Sequence, residues 1–305
     1  MDIKIDNQYS TERYTLLNAD TCEAIKLIPD ESIGLSVFSP PFAALYTYSN
    51  SDRDLGNSRS DEEFFTHFEF IVKELYRIMI PGRIIAIHCM DIPAMKERDG
   101  FIGLKDFPGD LLRLFQKCGF IYHTKVTIYK SPVTEMQRTK ALGLLHKQIK
   151  KDSAMSRMGI PDYLLVVRKP GQNPYPITHT NESYPVGLWQ QVADPAWEIE
   201  PSPVWWDINQ SDTLNARVAK TDEEERHLCP LQLPVIERVV GLWSNPDDIV
   251  FTPFGGIMSE PYQAVKMGRR AIGIELKKSY YDVGVKNMQN LDLENMQTSI
   301  FDFLE

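Results

Sequence analysis

The stretch Asp248-Ile-Val-Phe-Thr-Pro-Phe-Gly-Gly-Ile-Met-Ser-Glu260 reads as an apolar strand, a tight glycine turn and the opening of a helix. Gly255 and Gly256 let the backbone come close to a ligand at the carboxyl end of the strand, where open α/β sheets bind their ligands. Downstream, Gly268-Arg-Arg-Ala-Ile-Gly-Ile-Glu275 supplies a second strand that ends in an acid. A carboxylate about twenty residues beyond a glycine turn is placed to take both hydroxyls of a ribose.

On either side of this segment short apolar runs alternate with helical patterns, which predicts an α/β fold with a parallel sheet and helices on its faces. Strands are expected over 33–38, 83–89, 121–129, 162–167, 248–251 and 271–275. Helices are expected over 61–79, 110–117, 234–243, 260–267 and 278–288, the first closed by Pro81-Gly82. Between residues 172 and 226 the composition shifts to Pro, Asn and Trp with little periodicity, so an insertion or small lobe is expected there rather than regular sheet.

Segments 248–260 and 268–275 resemble motifs I and II of S-adenosylmethionine-dependent amino-methyltransferases of DNA. In that family the first motif reads Asp-Pro-Phe followed by Gly-Ser-Gly. Here Thr252-Pro253-Phe254-Gly255-Gly256-Ile257-Met258 puts Thr252 in place of the acid and Met258 in place of the second glycine. Ahead of it, His227-Leu-Cys229-Pro230-Leu-Gln232-Leu-Pro234 is similar to motif X, which lies against the methionine part of the cofactor. His227 is equally well placed as a satisfied histidine at a helix entrance.

At the other end of the chain Ser39-Pro40-Pro41-Phe42 follows the strand 33–38. Two prolines fix φ and stiffen the exit from the strand, so the Pro40 carbonyl and the Ser39 side chain are held at one spot above the sheet. Both accept hydrogen bonds from an amino group. An exocyclic amine is conjugated with its ring and is a poor nucleophile. Acceptors that draw its hydrogens out of the ring plane localise the lone pair for attack, which calls for positioning more than for a strong base. Phe42 would stack on the base, which must first leave the duplex. This stretch resembles motif IV of the same family, Asp- or Ser-Pro-Pro-Tyr or Phe. The order of motifs, catalytic first and cofactor last, matches the beta (permuted) group.

The resemblance implies a Rossmann-like methyltransferase sheet with helices on both faces, plus a target-recognition insertion. It divides the chain into a catalytic half (1–130), a basic insertion contacting DNA (131–160), a returning strand (161–171), a target-recognition region (172–226) and a cofactor half (227–305). S-adenosylmethionine is the implied cofactor, with Asp20, Cys229, Pro230, Thr252, Pro253, Phe254, Gly255, Gly256 and Glu275 against it. For Asp20 two readings stand side by side, contact with the adenine of the cofactor and a helix N-cap. Arg53, in a loop that directly follows Phe42, is placed to close over a flipped base or to be mere surface loop. A homodimer is implied by the resemblance alone.

The formal net charge of −9 argues against indiscriminate coating of nucleic acid, which needs positive surface. Lys130, Arg138, Lys140, Lys147, Lys150, Lys151 and Arg157 nevertheless form a local basic patch suited to double-stranded DNA. Trp205 and Trp206 read as core of a small lobe, with stacking on DNA as the alternative. Four scattered cysteines, none in a C-x-x-C pair, suggest no metal site. The N-terminus has no signal-peptide pattern and no run of eighteen apolar residues occurs, so a cytoplasmic protein without membrane contact is expected. Cytosine N4 and adenine N6 both remain as targets, with Ser39 leaning toward cytosine. Cytosine C5 chemistry needs a cysteine after a proline, and Cys229-Pro230 has the reverse order. A protein amide methyltransferase and a catalytically inactive DNA-binding protein are the competing readings.

Overall fold

The computed structural model describes residues 3–41, 58, 60–94, 96–133, 146–156, 159–184, 202–214 and 230–302. Phe42, Arg53, Arg138, Lys140, Arg157, His227 and Cys229, and the side chain of Lys147, lie outside the described residues. In chain order the elements are β1 (Ile5–Ser10), β2 (Tyr14–Ala19), α1 (Thr21–Ala24), β3 (Ile33–Phe38), α2 (Asp61–Ile78), β4 (Met79–Met90), β5 (Ile92–Ala94), α3 (Lys96–Asp99) and β6 (Gly103–Lys105). They continue with α4 (Phe107–Lys117), β7 (Ile121–Ile128), α5 (His146–Lys151), β8 (Asp162–Arg168), β9 (Val204–Trp205), α6 (Leu233–Trp243), β10 (Ile249–Thr252), α7 (Ser259–Lys266), β11 (Arg270–Glu275) and α8 (Lys278–Asp302).

One nine-stranded sheet runs in the order β1-β2-β11-β10-β3-β4-β8-β7-β9. The five central strands β2, β11, β10, β3 and β4 are parallel. The sheet as a whole is mixed rather than parallel throughout, because β8 pairs antiparallel with both β4 and β7, and β1 pairs antiparallel with β2. A strand covered on both faces needs apolar side chains on both, and the six residues of β3, Ile-Gly-Leu-Ser-Val-Phe, are all buried.

Period-two alternation sends successive side chains to two different cores. Ile85, Ile87, Leu165 and Val167 face a layer made by Phe64, Phe68 and Leu75 of α2 and Leu111 and Phe115 of α4. Ile84, Ala86, Leu164 and Val166 face Val235, Ile236 and Val239 of α6, Ala264 of α7, and Met288 and Leu291 of α8. Helix α2 starts where Ser60 accepts a hydrogen bond from the Glu63 N–H at 3.1 Å, with Asp61, Glu62 and Glu63 on its positive end.

Several boundaries move for identifiable reasons. Pro81-Gly82 does not close α2; it lies inside β4, where Gly82 takes φ 76° and donates its N–H to the Lys169 carbonyl. Helix α4 begins at Phe107, three residues ahead of the expected start, because Asp106 caps it through the Gly109 N–H. Helix α8 runs on past Met288 to Asp302: Leu291 still packs in the core one turn further on, and no Gly or Pro follows to end the helix. Within 172–226, β9 adds a short edge strand to the sheet. Among the described residues no helix is long and apolar enough to cross a membrane.

Candidate active site at the carboxyl edge of the sheet

The five parallel strands end along one edge, at Ala19, Glu275, Thr252, Phe38 and Met90. The antiparallel β8 begins at that same edge, since Asp162 is registered with both Met90 and Ile128. Asp20, the turn 253–256, Ser39 and Glu275 therefore come together, although up to 255 positions separate them in the sequence.

Glu275 is fixed by two backbone donors. Its Oε2 accepts from the Gly256 N–H at 2.7 Å and its Oε1 from the Lys277 N–H at 2.7 Å. Gly256 sits at φ 50°, and a Cβ built there would meet nothing within 4 Å, so the turn is open on that side. The start of α1 holds the turn and β2 holds the end of β11: the Thr21 hydroxyl donates to the Pro253 carbonyl at 2.6 Å, and the Asn18 amide donates to the Glu275 carbonyl at 2.9 Å. Asp20 caps α1 by accepting the Cys22 N–H at 2.9 Å, which bears out the N-cap reading. Phe254 packs against Phe38 and Phe68 with centroids 5.8 and 6.0 Å away and so forms the floor beneath the turn. The Thr252 hydroxyl is buried without a hydrogen-bond partner. Pro230 is half-buried just ahead of α6. Burial, with a smaller contribution from the neighbouring Glu275 charge, pushes the Glu260 carboxyl up to about 8.

Met258 explains how the turn dispenses with the second glycine of its motif. It adopts the left-handed conformation, φ 65°, and its side chain is fully buried. Three other glycines make room for it: a Cβ on Gly255 or Gly273 would fall 2.6 Å from its Sδ, and one on Gly284 would fall 2.4 Å from its Cγ. Gly284→Ala in α8 would gain about 1 kcal/mol from helix propensity alone. Here it is expected to lower stability instead by about 1–3 kcal/mol through overpacking. In a Met258→Ala background the same glycine substitution should cost far less, which urea unfolding midpoints of the two single variants and the double variant will show.

Ser39 leaves β3 beside His88 on β4. Its Oγ lies 3.2 Å from His88 Nδ1 and 3.3 Å from the His88 carbonyl oxygen. His88 Nε2 is 2.9 Å from Asp162 Oδ2, and Asp162 Oδ1 is 2.7 Å from Lys130 Nζ. Burial tends to raise the Asp162 carboxyl, but the charges and hydrogen bonds of His88 and Lys130 hold it below the usual carboxylate range. Lys130 is thereby withdrawn from the basic patch: its side chain is only 7% exposed and its charge is spent on Asp162, so it is not a surface contact for phosphates. Lys150 and Lys151 on α5 are exposed. Trp205 is fully buried, whereas Trp206 is 49% exposed and packs on Tyr129 with centroids 5.2 Å apart. Sequence reasoning missed His88 and Asp162. The available signal was a single polar side chain in the run Ile84-Ile-Ala-Ile-His88 and an acid opening β8.

The model of the DNA methylase family N6_N4_Mtase matches residues 33–286, from β3 into α8. The chain belongs to this family. As an N6/N4 DNA methylase it is 23% identical over 287 residues to the DNA adenine methyltransferase YhdJ of Escherichia coli K12, covering 92% of this chain and 84% of that one. The crystal structure of TTHA0409 from Thermus thermophilus, complexed with S-adenosyl-L-methionine, superposes with a TM-score of 0.63 at 21% identity, over 89% of this chain and 93% of the other. The cytosine-N4-specific PvuII DNA methyltransferase superposes with a TM-score of 0.64 at 16% identity, over 93% and 90% of the two chains. These likenesses place the N6/N4 methylase fold, with its mixed sheet and helices on both faces, over nearly the whole chain.

Proposed function

We propose that this chain transfers a methyl group from S-adenosylmethionine to the exocyclic amine of a base flipped out of double-stranded DNA, at cytosine N4 or adenine N6. The observation that carries the reading is the placement of Ser39 and Glu275 on one edge, separated by the single strand β10 and its glycine turn. Two strand spacings are about 10 Å, within the length of a nucleoside carrying an amino-acid side arm.

The residues present fit the cofactor. Glu275, aimed by the Gly256 and Lys277 N–H groups, suits a ribose diol; Gly256 leaves its side of the turn open; Asp20 ends the neighbouring strand; Pro253 and Phe254 form a rigid floor. The buried Thr252 hydroxyl stands without a partner, at about 1–3 kcal/mol cost. The cofactor would supply a methyl on a positively charged sulfur. The chain's own work is to hold the amine: Ser39 Oγ and the Pro40 carbonyl accept its hydrogens and leave the nitrogen lone pair pointing across the turn.

Lys150, Lys151 and the further basic residues of 131–160 would hold phosphates, with 172–226 reading sequence. A homodimer, which rests on the family resemblance, and action in the cytoplasm, which rests on the sequence reading, are parts of this proposal. The test is methyl transfer from labelled S-adenosylmethionine to duplex DNA and, in parallel, to cell protein. Label in DNA alone is expected. Label in protein alone would favour the amide reading, and no label despite cofactor binding would favour an inactive DNA-binding protein.

A further inference from the structure

Across four adjacent strands the carboxyl edge carries a row of side chains that the methylation reading does not use beyond its first member: Ser39 after β3, His88 on β4, Asp162 opening β8 and Lys130 just past β7. We propose that His88, set by Asp162 and Lys130, is the positioning residue that orients Ser39 and takes the proton the target amine must lose. This rests on the methylation reading above.

The geometry fixes the direction of the row. Asp162 is an anion, and its Oδ2 lies 2.9 Å from His88 Nε2, so a proton must sit between them; a bare nitrogen lone pair facing a carboxylate at that distance would be repelled. In the neutral imidazole that single proton sits on Nε2, which leaves Nδ1 bare to accept. The Ser39 hydroxyl then has two inward acceptors, Nδ1 at 3.2 Å and the His88 carbonyl at 3.3 Å, and either choice turns its oxygen lone pairs toward the amine. Lys130, 2.7 Å from the other Asp162 oxygen, balances the buried anion. Only its Ser39 end is open to the site: the side chains of His88, Asp162 and Lys130 are 10%, 1% and 7% exposed.

When the amine lone pair forms the new N–C bond, the electrons of the broken methyl bond stay with the sulfur and the nitrogen is left cationic. Ser39 Oγ accepts the N–H proton as its own proton passes to His88 Nδ1. The imidazolium is held by Asp162 until it releases the proton to water. Nothing is oxidised or reduced.

The experiment is nitrogen-15 NMR of the histidine side chains in the full chain without added ligand, together with kinetics of His88→Asn. The His88 signal is identified by its loss in that variant, or in His88→Gln should the asparagine variant not fold. The expected results are an Nε2–H tautomer with bare Nδ1 in the native chain, and a kcat lowered about 10²-fold, the low end for a general acid–base group. KM for duplex DNA and cofactor affinity should change by less than about twofold. A native His88 protonated on Nδ1, or a His88→Asn enzyme within about threefold of native kcat, would overturn the proposal. A native chain that methylates no DNA would instead overturn the reading beneath it, an outcome distinct from an active native enzyme matched by an active variant.

Discussion

Replacing Ser39 by alanine is expected to lower kcat for methyl transfer to duplex DNA by about 10²-fold or more. Cofactor affinity should stay within about twofold of native, because Ser39 lies beyond β10 from the cofactor turn. The size follows from what the oxygen does. It is the one side-chain acceptor placed at the end of β3, held by contacts of 3.2 and 3.3 Å to His88 from a rigid proline-flanked exit. Without it, a conjugated amine keeps its lone pair delocalised at the moment of attack, and the loss falls on the transition state rather than on binding. Single-turnover methylation with saturating cofactor measures it. A Ser39→Ala enzyme with native kcat would remove Ser39 from the chemistry.

The second large effect is expected at Glu275. Glu275→Ala should weaken S-adenosylmethionine binding about 10²-fold, the equivalent of losing two hydrogen bonds from hydroxyls to a charged acceptor at roughly 1.5 kcal/mol each. Calorimetric titration reads this directly. Because the same carboxylate also accepts the Gly256 and Lys277 N–H groups, the urea midpoint should fall as well. Glu275→Gln keeps one acceptor for those donors and is expected to lie between native and alanine in both measurements. Affinity unchanged in both variants would contradict the ribose assignment.

How far the sequence speaks for itself depends on whether a signal is local. Strand β3, the glycine turn and Glu275 are contiguous patterns, and each appears in the fold within a residue or two of its expected place. The adjacency of Ser39 to the turn was reached through the order of motifs, and the sheet supplies its physical cause in the pairing of β3 with β10. Non-local partnerships left no such trace. Lys130 read as one cation among seven, and only the meeting of β7 with β8 reveals that its partner is Asp162, thirty-two positions on. His88 belongs to an apolar strand whose pattern says core, and its contacts come from β3 and β8 on either side. Met258 departs from its motif locally, and the compensation lies in Gly273, fifteen positions on in the second motif segment, and in Gly284, which belongs to neither segment.

The central claim, methylation of an exocyclic amine, is tested most directly by digesting DNA treated with the enzyme and S-adenosylmethionine to nucleosides and identifying the methylated species by mass spectrometry against standards. The account predicts N4-methyldeoxycytidine or N6-methyldeoxyadenosine, formed about 10²-fold or more slowly when Ser39→Ala replaces the native enzyme. A methyl group on cytosine C5, or no methylated nucleoside from an enzyme that binds the cofactor, would contradict it.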